Sequence, residues 1–476
     1  MKKNKLRDNR KTFLVWVLIL AFGTLYSIYS VVRHLRFETY IFDLGYYDQL
    51  LWLAAHGKKI FSSVIEAHPW VDHFSPSIFL LTPLYWLWSD PRVLLIFQAG
   101  FIALGAYPIY KLSLRKTNSY IFSISLSLCY LTFYGLQNAI AYDFHAVVLG
   151  PTLLAFLFWF YEEKKFRLFW PTLIIFVGLQ ENFFILASAI GLFLIVKYKD
   201  FKRGLPIFLG GLILAGVLLF YLIPYVFGSR YYYVPAHLRQ INLTQIIHAL
   251  YTPTSKIDVV VFAFIAFGLL PIFSPHFLII LGEEFLGRFL GTTNPNWWIL
   301  GFHYNAILAP ILAFASITTF DKYFRRKEIL AVVLLFGGMI ISHIRVKPDI
   351  SKMFYTSYYD LSATSDAKKV LAYLPKEASV AASNNLGAQI AGREGLIFLT
   401  NCVENTEVWG ADGRRCYKLK PEYILADMNP DDKRNNNFYP DYDRESIWRY
   451  LTYVQEKGKY TLVKNVGFVY LLKRND

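Results

Sequence analysis

Charged residues are scarce in this chain: Asp, Glu, Lys and Arg supply only 17% of its 476 residues, too few to give a soluble enzyme of this length a polar surface. Cysteine is scarcer still, and three residues exclude a disulfide scaffold. Cys129 lies in an apolar run and reads as a small packing residue. Cys402 and Cys416 flank the turn-rich "VENTEVWGADGRR" and could pair if that segment faces an oxidising compartment. P-loop, GxSxG, HExxH and paired CxxC motifs are all missing, which argues against cytoplasmic nucleotide chemistry. There is no internal repeat, low-complexity segment or long linker. The formal net charge is +15, but the basic residues form short clusters between apolar runs without a recognition motif, so nucleic acid is not an expected partner.

What the chain does have is hydrophobic residues, 55% of the total with 18% aromatics and a mean hydropathy of +0.35. That composition points to a multi-pass α-helical membrane protein. Thr12 to Val32 carries no charge and is long enough to cross a bilayer. It follows "MKKNKLRDNRK" without a small-residue cleavage site, so it reads as a retained signal anchor with a cytoplasmic N-terminus in the cell (inner or plasma) membrane. Taking "KLSLRK", "EEKKFR", "KYKDFKR" and "DKYFRRK" as cytoplasmic markers gives about eleven spans, near 12–33, 91–112, 119–135, 146–161, 168–181, 183–197, 205–227, 257–273, 275–287, 304–320 and 328–344. The runs around "GLQENFF" and "PHFLIILGEEFLGRF" are short, as expected of interrupted helices that meet at a polar point. Phe74 to Pro91, broken by Pro76 and Pro83, reads as a helix lying in the outer interface. The expected organisation is a transmembrane domain over 1–344, with its first outer loop at 34–90, and a soluble extracytoplasmic α/β domain over 345–476. In the latter, "AKKVLAYLP" has helical spacing, "ASVAAS" and "EYILAD" read as strands, and "YTLVKNVGFVYLLKR" reads as a hairpin turning near Asn465.

On that topology Asp43, Asp48, Asp72, His73, Asp143, His145, Glu181, Arg288 and His303 all fall at or near the outer membrane face. Charges at the edge of hydrocarbon are costly unless they face water or a partner, so their concentration predicts a polar, outward-facing cavity. Asp43 and Asp48 stand five residues apart, about 140° on a regular helix, and so serve different tasks. Asp43 is either a favourable charge near a helix start or a base that deprotonates an acceptor. "VDHFSP" and "YDFHAV" each set an aspartate beside a histidine. Such pairs form loop hydrogen bonds, shuttle protons or hold a divalent cation, Mg or Mn being the cofactors in view. "QEN" around Glu181 and "EEFLGR" from Glu283 to Arg288 read either as structural intramembrane pairs or, for the arginine, as a phosphate contact.

"FDLGYYDQLLW", "DHFSP", "PLY" and "DFHAVVL", followed by "QEN", "HYNAILAP" and "ASVAASNNL", resemble an uncharacterised family of bacterial and archaeal membrane proteins within the GT-C glycosyltransferase superfamily. The likeness covers nearly the whole chain. It implies a GT-C-like fold whose first outer loop carries a catalytic aspartate, matched here by Asp43, and a donor sugar carried on a polyprenyl phosphate. Leu44 and Gly45 follow Asp43 in place of the superfamily's DE or DxD, and Gln180 precedes Glu181 where relatives carry lysine. The resulting expectation is a membrane glycosyltransferase that passes a sugar from polyprenyl phosphate to an extracytoplasmic acceptor, with membrane lipid as its surroundings. Its catalytic set is Asp43 as general base with Asp48, His73, Asp143 and His145, and its substrate contacts are Glu181, Arg288, His303 and Tyr304. A non-catalytic scaffold with a partner-binding outer domain, or a lipid or polysaccharide transporter, are the alternatives.

Overall fold

The computed structural model describes residues 2–227, 242–291, 294–399, 420–429 and 444–475. Cys402 and Cys416 lie outside them, and Cys129 is buried in the helical bundle.

Among the described residues four helices are long and apolar enough to cross a membrane: Thr12–Leu35 within α1 (Lys2–Leu35), Arg92–Thr117, Phe201–Val226 and Glu328–Val346. Two bent pairs raise the number to six if each is a single span: Thr244–Tyr251 with Ser255–Ala266 at 57°, and Pro295–Asn305 with Leu308–Phe324 at 67°. Four more apolar helices, Pro76–Leu87, Ala146–Glu162, Phe166–Val177 and Asn182–Tyr198, are shorter. The expected run 119–135 is broken into helices Tyr120–Leu131 and Tyr134–Ala141. Several apolar runs read as separate spans are thus broken or short helices.

Glycine sets the closest helix packing. A Cβ on Gly191 would lie 2.4 Å from the backbone nitrogen of Phe208, and one on Gly211 would lie 2.4 Å from the carbonyl oxygen of Phe184. Helices Asn182–Tyr198 and Phe201–Val217 therefore touch backbone to backbone, the contact that small residues permit where no hydrophobic drive distinguishes a neighbour helix from lipid.

The two ends of the bundle differ in charge. At one end all four basic clusters converge. Lys116 pairs with Glu162 at 2.7 Å and Arg115 with Glu163 at 3.1 Å. Tyr198 donates to Glu162 at 2.5 Å, and Arg325 reaches the carbonyl of Lys116 at 3.4 Å. The other end carries Arg33, the loop from Phe37 to Ser75, and a five-stranded sheet. Both limits of the Phe74–Pro91 segment lie at this second end. The amide of Phe74 donates to Glu181 at 2.9 Å, Tyr85 donates to Asp48 at 2.5 Å, and the Trp86 indole donates to the carbonyl of Ala55 at 3.1 Å. The segment lies across that end instead of traversing the bundle, with Trp86 and Leu87 exposed.

The sheet contains β1 (Val380–Ala382), β2 (Leu396–Phe398), β3 (Tyr423–Asp427), β4 (Tyr460–Val466) and β5 (Val469–Arg474) in the order β2-β1-β3-β5-β4. The first three are parallel, with Val380 level with Leu396 and Tyr423, and their complete burial explains their unbroken apolar sequence. β5 joins antiparallel, pairing Leu472 with Ile424. The β4–β5 hairpin turns at Gly467, whose φ of 56° suits a residue without a Cβ. Phe37, Ile41 and Val64 from the far end of the chain complete the core beneath this sheet.

Candidate active site

Asp43 sits in a single π-helical turn, Ile41–Gly45, that leads into helix α2 (Tyr46–Ala55). Such turns break the helical ladder and often carry functional side chains. The two amides just before it are held from opposite sides. That of Tyr40 donates to the Oδ2 of Asp143 at 2.6 Å, and that of Ile41 donates to the Oδ1 of Asn384 at 3.0 Å. The Asp43 carboxylate meets the Nε2 of His145 at 2.9 Å, with the two side chains 18% and 14% exposed. His145 is oriented in turn by its backbone amide, which donates to the Gln98 side chain at 3.1 Å, and by its ring, which stacks on His303 at 4.5 Å. Asp43 stands in the first turn of this element, where a negative charge is also favourable, and its carboxylate is directed to the histidine.

Beyond His303 opens a small cavity between two breaks in the helices. One is Gly178–Glu181, between helices Phe166–Val177 and Asn182–Tyr198; the other is Ala306 and Ile307, at the 67° bend. His73, Glu181, Glu284, Arg288, His303 and Tyr304 line it among apolar walls. Arg288 is anchored by its Nε to the carbonyl of Trp297 and by its Nη2 to the Oδ1 of Asn305, each at 2.8 Å. Its Nη1 and the Nδ1 of His303 are buried without a hydrogen-bond partner among the described residues. Leaving a buried charged donor such as Arg288 Nη1 unmade costs upwards of about 1–3 kcal/mol, so it is positioned for an acceptor that the described residues do not supply. His73 lies on the opposite wall, its Nδ1 3.0 Å from the Oε1 of Glu181, whose Oε2 accepts from the amide of Phe74. Burial would discharge His73, but the neighbouring Asp72 and Glu181 carboxylates and the Glu181 hydrogen bond outweigh it and raise its pKa to about 9. The cavity therefore presents cations from two sides at neutral pH.

All four expected substrate contacts, Glu181, Arg288, His303 and Tyr304, line this cavity, as does His73. Asp43 and His145 sit one ring behind it. Asp48 and Asp143 face elsewhere. Asp48 is buried and accepts from Tyr85, and burial lifts its carboxyl to about 7 against the lowering effect of that hydrogen bond. Asp143 is fully buried, with its Oδ1 on Arg33 at 3.0 Å and its Oδ2 on the amide of Tyr40. Both carboxylates organise the loop around Asp43. The two Asp-His loops serve different partners, and no three of the His, Cys, Asp and Glu side chains among the described residues converge as a metal-ligating set. Sequence reasoning left out Glu284 as a lining residue and Asn305 and Trp297 as the anchors of Arg288. Only the spacing of Glu284 one helical turn before Arg288 could have marked the first of these.

No curated protein matches the chain. Residues 33–467, nearly its whole length, match one family, and the chain accordingly belongs to DUF2079, whose members are described as predicted membrane proteins.

Proposed function

We propose that this protein is a GT-C-like membrane glycosyltransferase that moves a sugar from a polyprenyl-phosphate donor to an acceptor outside the cell membrane. On this reading the basic end faces the cytoplasm with the N-terminus, the sheet module is extracytoplasmic, and the short and bent helices complete about eleven passes. The observation that carries it is one continuous polar site: the Arg288 donor and His303 ring nitrogen that find no partner among the described residues and charged His73 around the cavity, with the Asp43–His145 pair a single ring away.

The donor phosphate lies against Arg288 Nη1 and His73, its lipid tail leaving between apolar helices, and the sugar lies toward His303 and Tyr304, where Glu284 can accept from its hydroxyls. Asp43 removes the proton of the acceptor hydroxyl as the acceptor oxygen attacks the anomeric carbon. The bond from that carbon to the phosphate oxygen breaks with inversion, and the electron pair leaves on the prenyl phosphate, where fixed cations compensate the added negative charge. His145 holds the Asp43 carboxylate in place through the step. The test is direct: purified protein in detergent is given a polyprenyl-phosphate-linked sugar and a mixture of cell-envelope acceptors. The expected result is release of free prenyl phosphate, abolished in Arg288→Ala. Equal release from wild type and Arg288→Ala would sink the reading.

A further inference from the structure

We infer that the C-terminal sheet module is a clamp for the turn bearing Asp43, and that Asn384 is a positioning residue that sets Asp43 against His145. The function of this clamp rests on the catalytic reading of Asp43; the clamp itself does not.

The strand order points to it. In β2-β1-β3 the chain moves from the middle strand to one side and then returns to the other. In parallel sheets the crevice beyond the carboxyl ends of such strands is where a ligand normally sits. Here the chain's own first loop occupies that place. Asn384 stands one residue beyond the end of β1, after Ser383, and its side-chain oxygen accepts from the amide of Ile41. Phe398, the last residue of β2, meets Phe42 edge-on at 4.8 Å. Gly387 lies so close that a Cβ would stand 2.6 Å from the Cδ1 of Ile41, and a Cβ on Gly45 would reach the Cα of Ala388 at 3.4 Å. The glycine is required there for approach.

The flanks are fastened as well. Gln389 donates to the carbonyl of His34 at 2.9 Å before the turn. After it, Gln49 donates to the carbonyl of Arg393 at 3.1 Å, and the hydroxyl of Ser63 both donates to the carbonyl and accepts from the amide of Leu396, each at 2.8 Å. The bundle holds the same turn through Asp143 and His145. Asp43 therefore sits where two bodies grip adjacent amides, and its distance from His145 depends on both grips. A displacement near 1 Å at a reacting group typically costs about a hundredfold in rate, so a module that fixes this turn acts on catalysis without touching substrate.

The experiment uses the full-length protein in detergent with ¹³C-labelled histidine rings. The His145 signal is identified by its loss in His145→Gln, and that of His343, bonded to Gln137 inside the bundle at 3.0 Å, identifies variants with an intact bundle. Asn384→Ala removes the hydrogen bond, and Gly387→Ala pushes on Ile41 by a different route. In both, the His145 signal should move toward its position in Asp43→Asn, while Lys464→Ala on the outer strand leaves it in place. With donor sugar, Asn384→Ala should lower kcat about tenfold or more with little change in KM. A His145 signal at its wild-type position in both Asn384→Ala and Gly387→Ala overturns the clamp. This readout needs no transfer, so a failed glycosyltransferase reading leaves it interpretable.

Discussion

At the scale of single residues, the Asp43–His145 contact separates two explanations of Asp43. A helix-end charge would tolerate Asn, itself a good cap, whereas a base cannot lose its ability to take a proton. Asp43→Asn should therefore insert and accumulate normally while transfer falls by about a hundredfold or more; a fully active variant rejects the assignment. His73 gives a second handle, through pH. Its pKa is raised from the ordinary 6.5 to about 9 in the fold, so the stability gained from the charged ring beside Glu181 is complete below 6.5 and is lost as pH rises through 9. Wild-type protein should lose more thermal stability between pH 6.5 and 9.5 than His73→Gln, which has no ring to titrate, and parallel curves would contradict the assigned charge. Much of the cavity lining is legible because an ionisable residue in an apolar chain is conspicuous, which is what marks His73, Glu181, Arg288 and His303. Asp48 and Asp143 were equally conspicuous but look the same in sequence as a reactive carboxylate. What sets them apart is Tyr85 and Arg33, brought from distant segments. Asn384 and Gly387 gave no signal, since neither charge nor periodicity marks a residue whose work is to accept one amide or to leave room.

At the scale of elements, the joint between α1 and the Asp143 loop is the most sensitive. Arg33 and Asp143 are both buried and hydrogen-bonded to each other, and removing one partner of such a pair typically costs about 3–5 kcal/mol because the other charge stays behind. Asp143→Ala should accordingly destabilise the protein by that order in denaturant unfolding from detergent, and Arg33→Met should recover part of the loss when combined with it. If the double variant is as unstable as Asp143→Ala alone, uncompensated charge is not the cause. The elements differ in how readily they were read. β1, β3 and the hairpin matched their expected places because apolar runs bounded by turn residues mark them, whereas β2 is three buried residues, too short to show a period. Helix Arg444–Glu456 was also missed, its apolar positions being spaced among many charges.

At the scale of the whole molecule, the opposition of a basic end and a sheet end makes a statement about sidedness that does not depend on the exact number of passes. Lys116, Glu162, Tyr198 and Arg325 meet at one end, whereas the loop around Asp43 and the C-terminal hairpin share the other. Basic clusters are retained in the cytoplasm, so a reporter fused after Lys116 should be cytoplasmic and one fused after Asp476 extracytoplasmic. The segment from Phe74 to Trp88 decides between this arrangement and its rival. Were it a crossing, Lys116 would lie on the opposite side from the N-terminus, outside, and the hydrogen bonds from Phe74 to Glu181 and from Trp86 to Ala55 would have to form on opposite faces of a bilayer about 30 Å thick. Finding the Lys116 reporter outside would therefore break the bundle's end-to-end polarity and with it the shared outer site. Opposite sides with Lys116 inside place Asp43, the cavity mouth and the sheet module together outside, where the proposed lipid-borne donor would approach them from within the membrane.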